Sequence, residues 1–194
     1  MSKLNLVILG STRGTNMQAI IDAIASKQLN AQISLVISNK QDAYILQRAA
    51  QHNIAAKFIA AKGLVREQYD QLVVAEIQKY NPDLILLIGF MRILSPIFIK
   101  AFKGRILNIH PSLLPNYAGL MDLAVHQAVI AAGDSVSGCT IHQVSEEVDG
   151  GDIVLQLKCG VTKDDTAESL KAKVQNLENI AWIEVIRNWK KTNL

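Results

Sequence analysis

Short apolar runs alternate with longer amphipathic segments over the first 110 residues of the chain. The short runs are typical of buried strands, and the segments between them repeat apolar residues every three or four positions, as helices do. Strands that alternate with helices predict right-handed crossover units, and hence a parallel sheet covered by helices on both faces. The predicted strands cover residues 4–9, 31–38, 55–59, 83–89 and 105–109, and the predicted helices cover residues 15–27, 42–52, 66–80 and 95–102.

The pattern changes in the last part of the chain. A loop is predicted after residue 109, followed by two further strands over 137–144 and 153–161 and one long helix over 166–190. The sequence has no internal repeat, no low-complexity segment and no linker rich in Pro, Gly or Ser. We therefore expect a single α/β domain over residues 1–194, with a Rossmann-like, mostly parallel sheet flanked by helices and a long C-terminal helix.

Composition supports one well-filled core. Of the 194 residues, 49% are hydrophobic, which is ample for a domain of this size. The formal net charge of +3 comes without a run of like charges, so it suits an anionic small molecule and does not argue for nucleic acid. The N-terminal apolar run is too short for a secretory signal, and Cys139 and Cys159 lack metal-ligand spacing. We expect free thiols, a cytoplasmic location, no membrane partner, and a monomer or homodimer.

The first strand leads into a turn that suits a phosphate group. In residues 6–20, LVILGSTRGTNMQAI, the strand is followed by Gly10 and Gly14 and then by a helix. The free amides of residues 14–16 and the positive end of the helix dipole favour an anion. The spacing matches neither a dinucleotide fingerprint nor a P-loop. The alternative is an ordinary helix cap, because Thr15 and Asn16 are common N-cap residues.

Two polar residues end the strand that contains RILNIH. Alternation places Asn108 and His110 on one face of this strand, about 7 Å apart along the backbone. Pro111 cannot donate to a ladder, so the pair lies at the carboxyl edge of the sheet. Ligands of open α/β sheets bind at that edge. A catalytic pair and a hydrogen-bonded polar pair that caps the strand are both consistent with this pattern.

An acidic turn, EEVDGGDI at 146–153, supplies a third candidate. By composition alone it is a solvated polar turn. If the fold brings its Asp149 to His110, we expect the carboxylate to raise the pKa of the histidine and favour the protonated form. An amide, an imidazolium and a carboxylate suit acyl transfer to an amine, since a tetrahedral oxyanion needs donors and protons move between nitrogens. No Ser or Cys nucleophile elbow is present, which favours direct transfer.

Four ordered motifs resemble the folate-dependent formyltransferase family. They are GTNMQAII at 14–21, GFMRILSP at 89–96, NIHPSLLP at 108–115 and VDGGDIVLQ at 148–156. The resemblance spans nearly the whole chain and implies the formyltransferase fold. It also implies direct transfer of a formyl group from 10-formyltetrahydrofolate to an amine. The first motif is similar to the phosphate loop of the branch that formylates 5′-phosphoribosylglycinamide in de novo purine biosynthesis.

The resemblance implies a role for particular residues. The family's catalytic set corresponds to Asn108, His110 and Asp149. Its substrate-phosphate loop corresponds to Gly14, Thr15 and Asn16, and a glutamate that contacts the glycinamide end corresponds to Glu178. No metal is implied, and no His/Cys/Asp cluster in the sequence has ligand spacing. The implied folate-binding residues are Arg66, near the folate tail, and Met91, Arg92, Ile93, Leu94 and Val148, around the pterin.

This sequence departs from the family pattern at several positions. Thr12 replaces the first glycine of the family's Ser-Gly-x-Gly loop, and the segment after Gly119 is a residue or two longer than in some members, which leaves His126 without an assigned role. Asn179 and Ile183 stand where a histidine and a proline often follow the last-helix glutamate. A further histidine, His142, matches a family histidine near the catalytic aspartate and is equally consistent with core packing.

Other functions of the same family, and one of a different class, are alternatives to this transfer reaction. A methionyl-tRNA formyltransferase normally carries an extra C-terminal barrel domain, and a formyltetrahydrofolate hydrolase carries an additional N-terminal regulatory domain. A sugar-nucleotide formyltransferase has a suitable length, although GTN in the first loop argues against it. A non-catalytic folate- or nucleotide-binding module is a different class, and the intact Asn108, His110 and Asp149 argue against that class.

Overall fold

The computed structural model describes residues 3–189. Its strands are β1 (Leu4–Leu9), β2 (Ala31–Ser38), β3 (Ala56–Phe58), β4 (Leu84–Leu87), β5 (Ile106–His110), β6 (Val136–Gln143) and β7 (Ile153–Gly160). Its helices are α1 (Thr15–Ala25), α2 (Tyr44–Gln51), α3 (Arg66–Gln78), α4 (Pro96–Ala101), α5 (Leu123–Ala132) and α6 (Ala167–Asn188). The predicted positions agree to within a few residues. Residue 190 of the predicted last helix, and residues 1, 2 and 191–194, lie outside the described part.

All seven strands form one sheet in the order β3-β2-β1-β4-β5-β6-β7. The pairings among the first five strands are parallel, whereas β5 with β6 and β6 with β7 are antiparallel. The predicted Rossmann-like, mostly parallel sheet is therefore confirmed. The chain runs outward from β1 to β3 and then crosses back to β4 on the other side of β1. This reversal of strand order leaves a crevice at the carboxyl ends of β1 and β4.

The two faces of the sheet pack against separate apolar clusters. In β1, Leu6 and Ile8 point into one cluster, together with Trp182 of α6, while Val7 and Leu9 point into the other. Strands that are buried on both faces read as continuous apolar runs rather than as alternating patterns. That burial explains why LNLVIL and LILL were recognisable as strands, and it makes the sheet a rigid base for the residues at its carboxyl edge.

One predicted element is wrong. The region after residue 109 was expected to be a loop, but residues 123–132 form the helix α5, which ends at Gly133 in a left-handed conformation with φ 71°. Its buried residues Val125, His126 and Val129 recur at helical spacing, and this apolar face packs beside α6. In the described part of the chain, no helix is both long and apolar enough to cross a membrane. Both cysteines are free thiols, and Cys139 is buried.

Candidate active site

A cavity of about 790 Å³ opens at the carboxyl ends of β1, β4 and β5. This volume lies in the range of small-molecule sites, and the position is the crevice expected for an open α/β sheet. Almost all of the predicted site residues line the cavity: Gly14, Thr15, Asn16, Met91, Arg92, Ile93, Leu94, Asn108, His110, Val148, Asp149 and Glu178. The fold therefore gathers into one cavity residues that lie far apart in the sequence.

Arg66 is the exception among the predicted site residues. It is the first residue of α3 and does not belong to the cavity lining. Its guanidinium forms an exposed ion pair with the neighbouring Glu67 at 3.1 Å. A long, exposed side chain of this kind is free to reorient. Its role at the folate tail remains a prediction.

The end of β5 presents its two polar side chains as alternation predicts. Asn108 and His110 line the cavity, while Leu107 packs in the core below the opposite face. His110 is 4% exposed, and its Nε2 donates to the carbonyl oxygen of Tyr117 at 3.1 Å. Because a carbonyl oxygen only accepts, this bond fixes the proton of the neutral ring on Nε2 and turns Nδ1 away from Tyr117.

Asp149 lies directly against that Nδ1. Its Oδ2 is 3.2 Å from Nδ1 of His110 and accepts the backbone N–H of Gly119 at 2.9 Å. The glycines after Asp149 allow this approach: a Cβ at Gly151 would lie 1.8 Å from the carbonyl oxygen of Gln143. The chain can therefore pass tightly beside the end of β6 and bring the aspartate to the histidine. The sequence alone does not show whether Asp149 reaches His110, and the structure shows that it does.

Asp149 raises the pKa of His110 as predicted, but the predicted net rise and protonated form are wrong. Burial is the largest influence and lowers the pKa of His110, although Asp149 and the Tyr117 carbonyl both oppose it. The pKa of Asp149 itself is lowered: burial raises it, but contacts with His142, Gly119 and His110 together outweigh that effect. Near pH 7 a neutral ring of His110 therefore faces an ionised carboxylate. Such a pair can hold one proton between Nδ1 and Oδ2.

His142 belongs to the cavity as well as to the core. It is 2% exposed and pairs with Asn108 across β5 and β6. Its Nδ1 donates to the carbonyl oxygen of Gln143 at 2.9 Å, and its Nε2 lies 3.2 Å from Nδ2 of Asn108 and 3.6 Å from Oδ1 of Asp149. With its proton on Nδ1, the ring accepts an N–H of Asn108 at Nε2 and lies beside the carboxylate of Asp149. His142 is therefore near the catalytic aspartate and is also packed in the core, so the structure is consistent with both roles given for it in the sequence analysis.

The opposite end of the cavity is formed by the amide turn, residues 14–16. Gly14 has φ 67° and precedes the first residue of α1, Thr15, with no side-chain cap on the helix. First-turn amides lack partners inside the helix, so they remain open to an anion. The Thr12 departure leaves this turn intact, because its side chain packs over Gly89, where a Cβ would lie 2.3 Å from the Thr12 Oγ1.

Glu178 of α6 reaches the amide turn from the other side of the cavity. Its Oε2 accepts from Nδ2 of Asn16 at 2.9 Å, and Oδ1 of Asn16 is buried without a partner. Burial raises the pKa of Glu178 to about 6. Lys171 and Gln175 line the cavity on the same helix. Sequence reasoning missed these two residues, although their spacing of seven and three positions from Glu178 is a helical signal that would have found them.

The third wall is apolar and follows β4. Met91, Ile93 and Val148 are 41%, 57% and 50% exposed, and all three line the cavity. Exposed apolar side chains that cluster in a groove are typical of a ligand-binding surface. Leu94 is nearly buried beneath them. The guanidinium of Arg92 lies 4.4 Å from the centre of the Tyr69 ring. An open apolar wall with polar groups at one end suits a flat, partly aromatic molecule.

Comparison with known proteins identifies the family. Residues 4–186 match the formyl transferase family, and the chain belongs to that family. The phosphoribosylglycinamide formyltransferase of Escherichia coli is 43% identical over 184 residues, which are 94% of this chain and 85% of that protein. Its counterpart from Haemophilus influenzae is 45% identical over 174 residues, which are 89% of this chain and 81% of that protein.

The solved structures agree with the sequence relatives. The phosphoribosylglycinamide formyltransferase of Coxiella burnetii is 40% identical and superposes with a TM-score of 0.91, covering 96% of this chain and 86% of that one. Glycinamide ribonucleotide transformylase 1 from Symbiobacterium toebii gives a TM-score of 0.90 at 36% identity, over 95% of this chain and 86% of that one. The family and the formyltransferase fold expected from the motifs are both confirmed.

Proposed function

We propose that this protein transfers a formyl group from 10-formyltetrahydrofolate to the amine of 5′-phosphoribosylglycinamide, a step of de novo purine biosynthesis. One observation carries the proposal. Asn108, His110 and Asp149 meet at one end of a cavity whose other end is a helix N-terminus with open amides. An anionic substrate held at the amide turn would direct its far end toward this polar cluster, with the apolar wall free for the folate.

The chemistry required of the site is direct acyl transfer. The amine nitrogen bonds to the formyl carbon, the bond between that carbon and N10 of the folate breaks, and one proton passes from the amine to N10. The formyl oxygen becomes an oxyanion in the tetrahedral intermediate, so it needs a donor that is already in place. Asn108 supplies an amide N–H2 group there. His142, 3.2 Å away, holds this amide in position.

His110 and Asp149 accept the proton that the attacking amine releases and hold it before it passes to N10. As positive charge develops on the attacking amine, the proton it releases can be held between Nδ1 of His110 and Oδ2 of Asp149, which are 3.2 Å apart. Asp149 then stabilises the imidazolium, and the Tyr117 carbonyl keeps the ring oriented through Nε2. The lowered pKa of His110 suits this role, because a neutral ring is ready to receive the proton.

The substrate roles follow the same geometry. Gly14, Thr15 and Asn16 bind the phosphate, Glu178 binds the sugar or glycinamide portion, and Met91, Arg92, Ile93, Leu94 and Val148 bind the pterin, with Arg66 near its tail. The residues described here act as one catalytic domain without a metal. Free thiols fit a reducing cytoplasm. The proposed partners are these small molecules only, and the protein is a monomer or homodimer.

The experiment is formyl transfer with purified protein. Phosphoribosylglycinamide and 10-formyltetrahydrofolate are supplied, and the folate product is followed by its absorbance. A sugar nucleotide with a free amine replaces the ribonucleotide in a parallel reaction, and Asn176→Ala, an exposed change on α6, is the control for handling. Turnover of phosphoribosylglycinamide alone supports the proposal. Turnover of the sugar nucleotide alone, or folate binding without any transfer, would contradict it.

A further inference from the structure

His126 is a polar side chain of the cavity wall that has no role in the proposed reaction. His126 lies near the start of α5, is 2% exposed and lines the cavity. Its Nδ1 is buried without a hydrogen-bond partner. A buried polar atom that is left unpaired costs free energy that a folded protein normally avoids. The Nε2 of His126 is not sealed in this way and has no hydrogen-bond partner in the described part of the chain, so it is the nitrogen that a polar group of a ligand in the cavity can reach.

Titratable groups from three parts of the chain influence this ring. Asp122 before α5, Lys171 on α6 and His110 on β5 all act on it electrostatically. Asp122 and Lys171 pair with each other at 2.5 Å at the cavity rim, with side chains 65% and 42% exposed. The charges of Asp122 and Lys171 that act on His126 are therefore already paired with each other. An anion would gain little there, since the Lys171 charge is committed to Asp122.

The ring is best suited to a neutral polar group. Burial and Lys171 both lower the pKa of His126, and Asp122 only partly opposes them. Near pH 7 the imidazole is therefore neutral and offers one donor and one acceptor. An amide, which has both a donor and an acceptor, can pair with Nε2 in either tautomer of the ring. A phosphate monoester, which only accepts, is better matched to the amide turn.

The positions of Lys171 and Glu178 along α6 indicate which part of a bound ligand lies near His126. Lys171, next to His126, and Glu178, bonded to Asn16 at the amide turn, are seven residues apart and thus about 10 Å apart along the helix. His126 is therefore well separated from the amide turn and close to the catalytic end. In phosphoribosylglycinamide, the amide lies between the ribose and the reacting amine, in the same order.

We propose that His126 is a specificity residue that hydrogen-bonds the amide of the amine substrate. The proposal rests on the proposed function and adds to it a contact that selects an aminoacyl amide over a bare sugar phosphate. Because the contact is made to the ground state as well as during reaction, its loss should raise KM for the ribonucleotide while kcat changes little. KM for the folate should stay constant.

The test is calorimetric binding to His126→Leu, which keeps the bulk of the ring and removes its nitrogens. Two probes are compared: phosphoribosylglycinamide, which has the amide, and ribose 5-phosphate, which lacks it. We expect about tenfold weaker binding of the first probe and unchanged binding of the second. Gln127→Leu, at the exposed neighbouring position, is the matched control and should change neither. His126→Gln keeps a donor and an acceptor and should recover most of the loss.

Thermal unfolding separates this role from a structural one. Removing an unpaired buried nitrogen should leave the melting temperature of the ligand-free protein unchanged or higher. A lower melting temperature together with equal weakening of both probes would show that His126 only supports the fold. Unchanged binding of phosphoribosylglycinamide by His126→Leu would overturn the proposal alone. Wild-type protein that formylates no phosphoribosylglycinamide would overturn the proposed function, and the His126 assignment with it.

Discussion

Replacing Gly14 by alanine should damage both the fold and the phosphate site. Gly14 has φ 67°, a conformation that L residues adopt at a cost of about 1–2 kcal/mol. A Cβ there would also lie 2.5 Å from Cγ1 and 2.9 Å from Cβ of Ile45. Ile45 is fully buried, and its backbone N–H donates to the carbonyl of Thr12 at 3.1 Å, so it cannot easily move aside.

The two effects add to a measurable loss. Overpacking of a filled core costs about 1–3 kcal/mol, so the total is about 2–5 kcal/mol out of roughly 5–15 kcal/mol for a typical domain. Moving the amide turn should also break charge-assisted bonds to the substrate phosphate, which contribute roughly 1.5–3 kcal/mol each. The loss of two such bonds corresponds to on the order of 100-fold or more in affinity for phosphoribosylglycinamide.

Urea unfolding and calorimetric titration measure the two parts. Gly133→Ala is the matched control, because Gly133 has φ 71° but no neighbour within 4 Å of the added Cβ; it should lose about 1–2 kcal/mol and no substrate affinity. In an Ile45→Ala background, Gly14→Ala should cost about 1–3 kcal/mol less than in the wild type. A non-transferable folate analogue should bind the variant normally.

Two results would refute this reasoning. The first is that Gly14→Ala and Gly133→Ala lower the free energy of unfolding equally, and that the effects of Gly14→Ala and Ile45→Ala are additive. In that case Ile45 does not crowd the added Cβ. If Gly14→Ala loses folate binding while the ribonucleotide still binds, the two ligands occupy the opposite ends of the cavity from those proposed here.

Three further predictions concern the catalytic set, Glu178 and metals. Asn108→Ala and Asp149→Asn should each lower turnover at least about 100-fold without changing the urea midpoint, since one removes an oxyanion donor and the other a charge partner; near-normal turnover in either would contradict the assignment. Burial raises the pKa of Glu178 from 4.5 to about 6, so the native state retains a proton that the unfolded chain has released. Stability should therefore fall by about 2 kcal/mol as pH rises from 4.5 through 6, and Glu178→Gln should abolish that fall in urea titrations across this window; parallel curves for the two proteins would exclude Glu178 as the cause. Dialysis against a chelator should leave turnover unchanged, and a loss that a divalent ion restores would show that a metal is required.

Local sequence patterns predict most of the helices and strands and the polar residues at the strand ends. Apolar runs such as LNLVIL and LILL are readable because a doubly covered parallel strand is apolar at every position. Asn108 and His110 were placed correctly because alternation and Pro111 act within a few residues. α5 was missed because Pro111 and several turn residues precede it, and its apolar face becomes evident only when α6 packs against it.

Contacts between distant parts of the chain were decided by tertiary structure alone. The sequence contains Asp149 and His110, but only the close passage of Gly151 past the end of β6 brings them within 3.2 Å. The sequence predicts a raised histidine pKa from that pair, whereas burial by the surrounding elements reverses the direction. The unpaired Nδ1 of His126 is likewise invisible in the sequence. Secondary structure depends on neighbours along the chain, but desolvation and charge depend on everything within several ångströms, and folding alone determines what lies there.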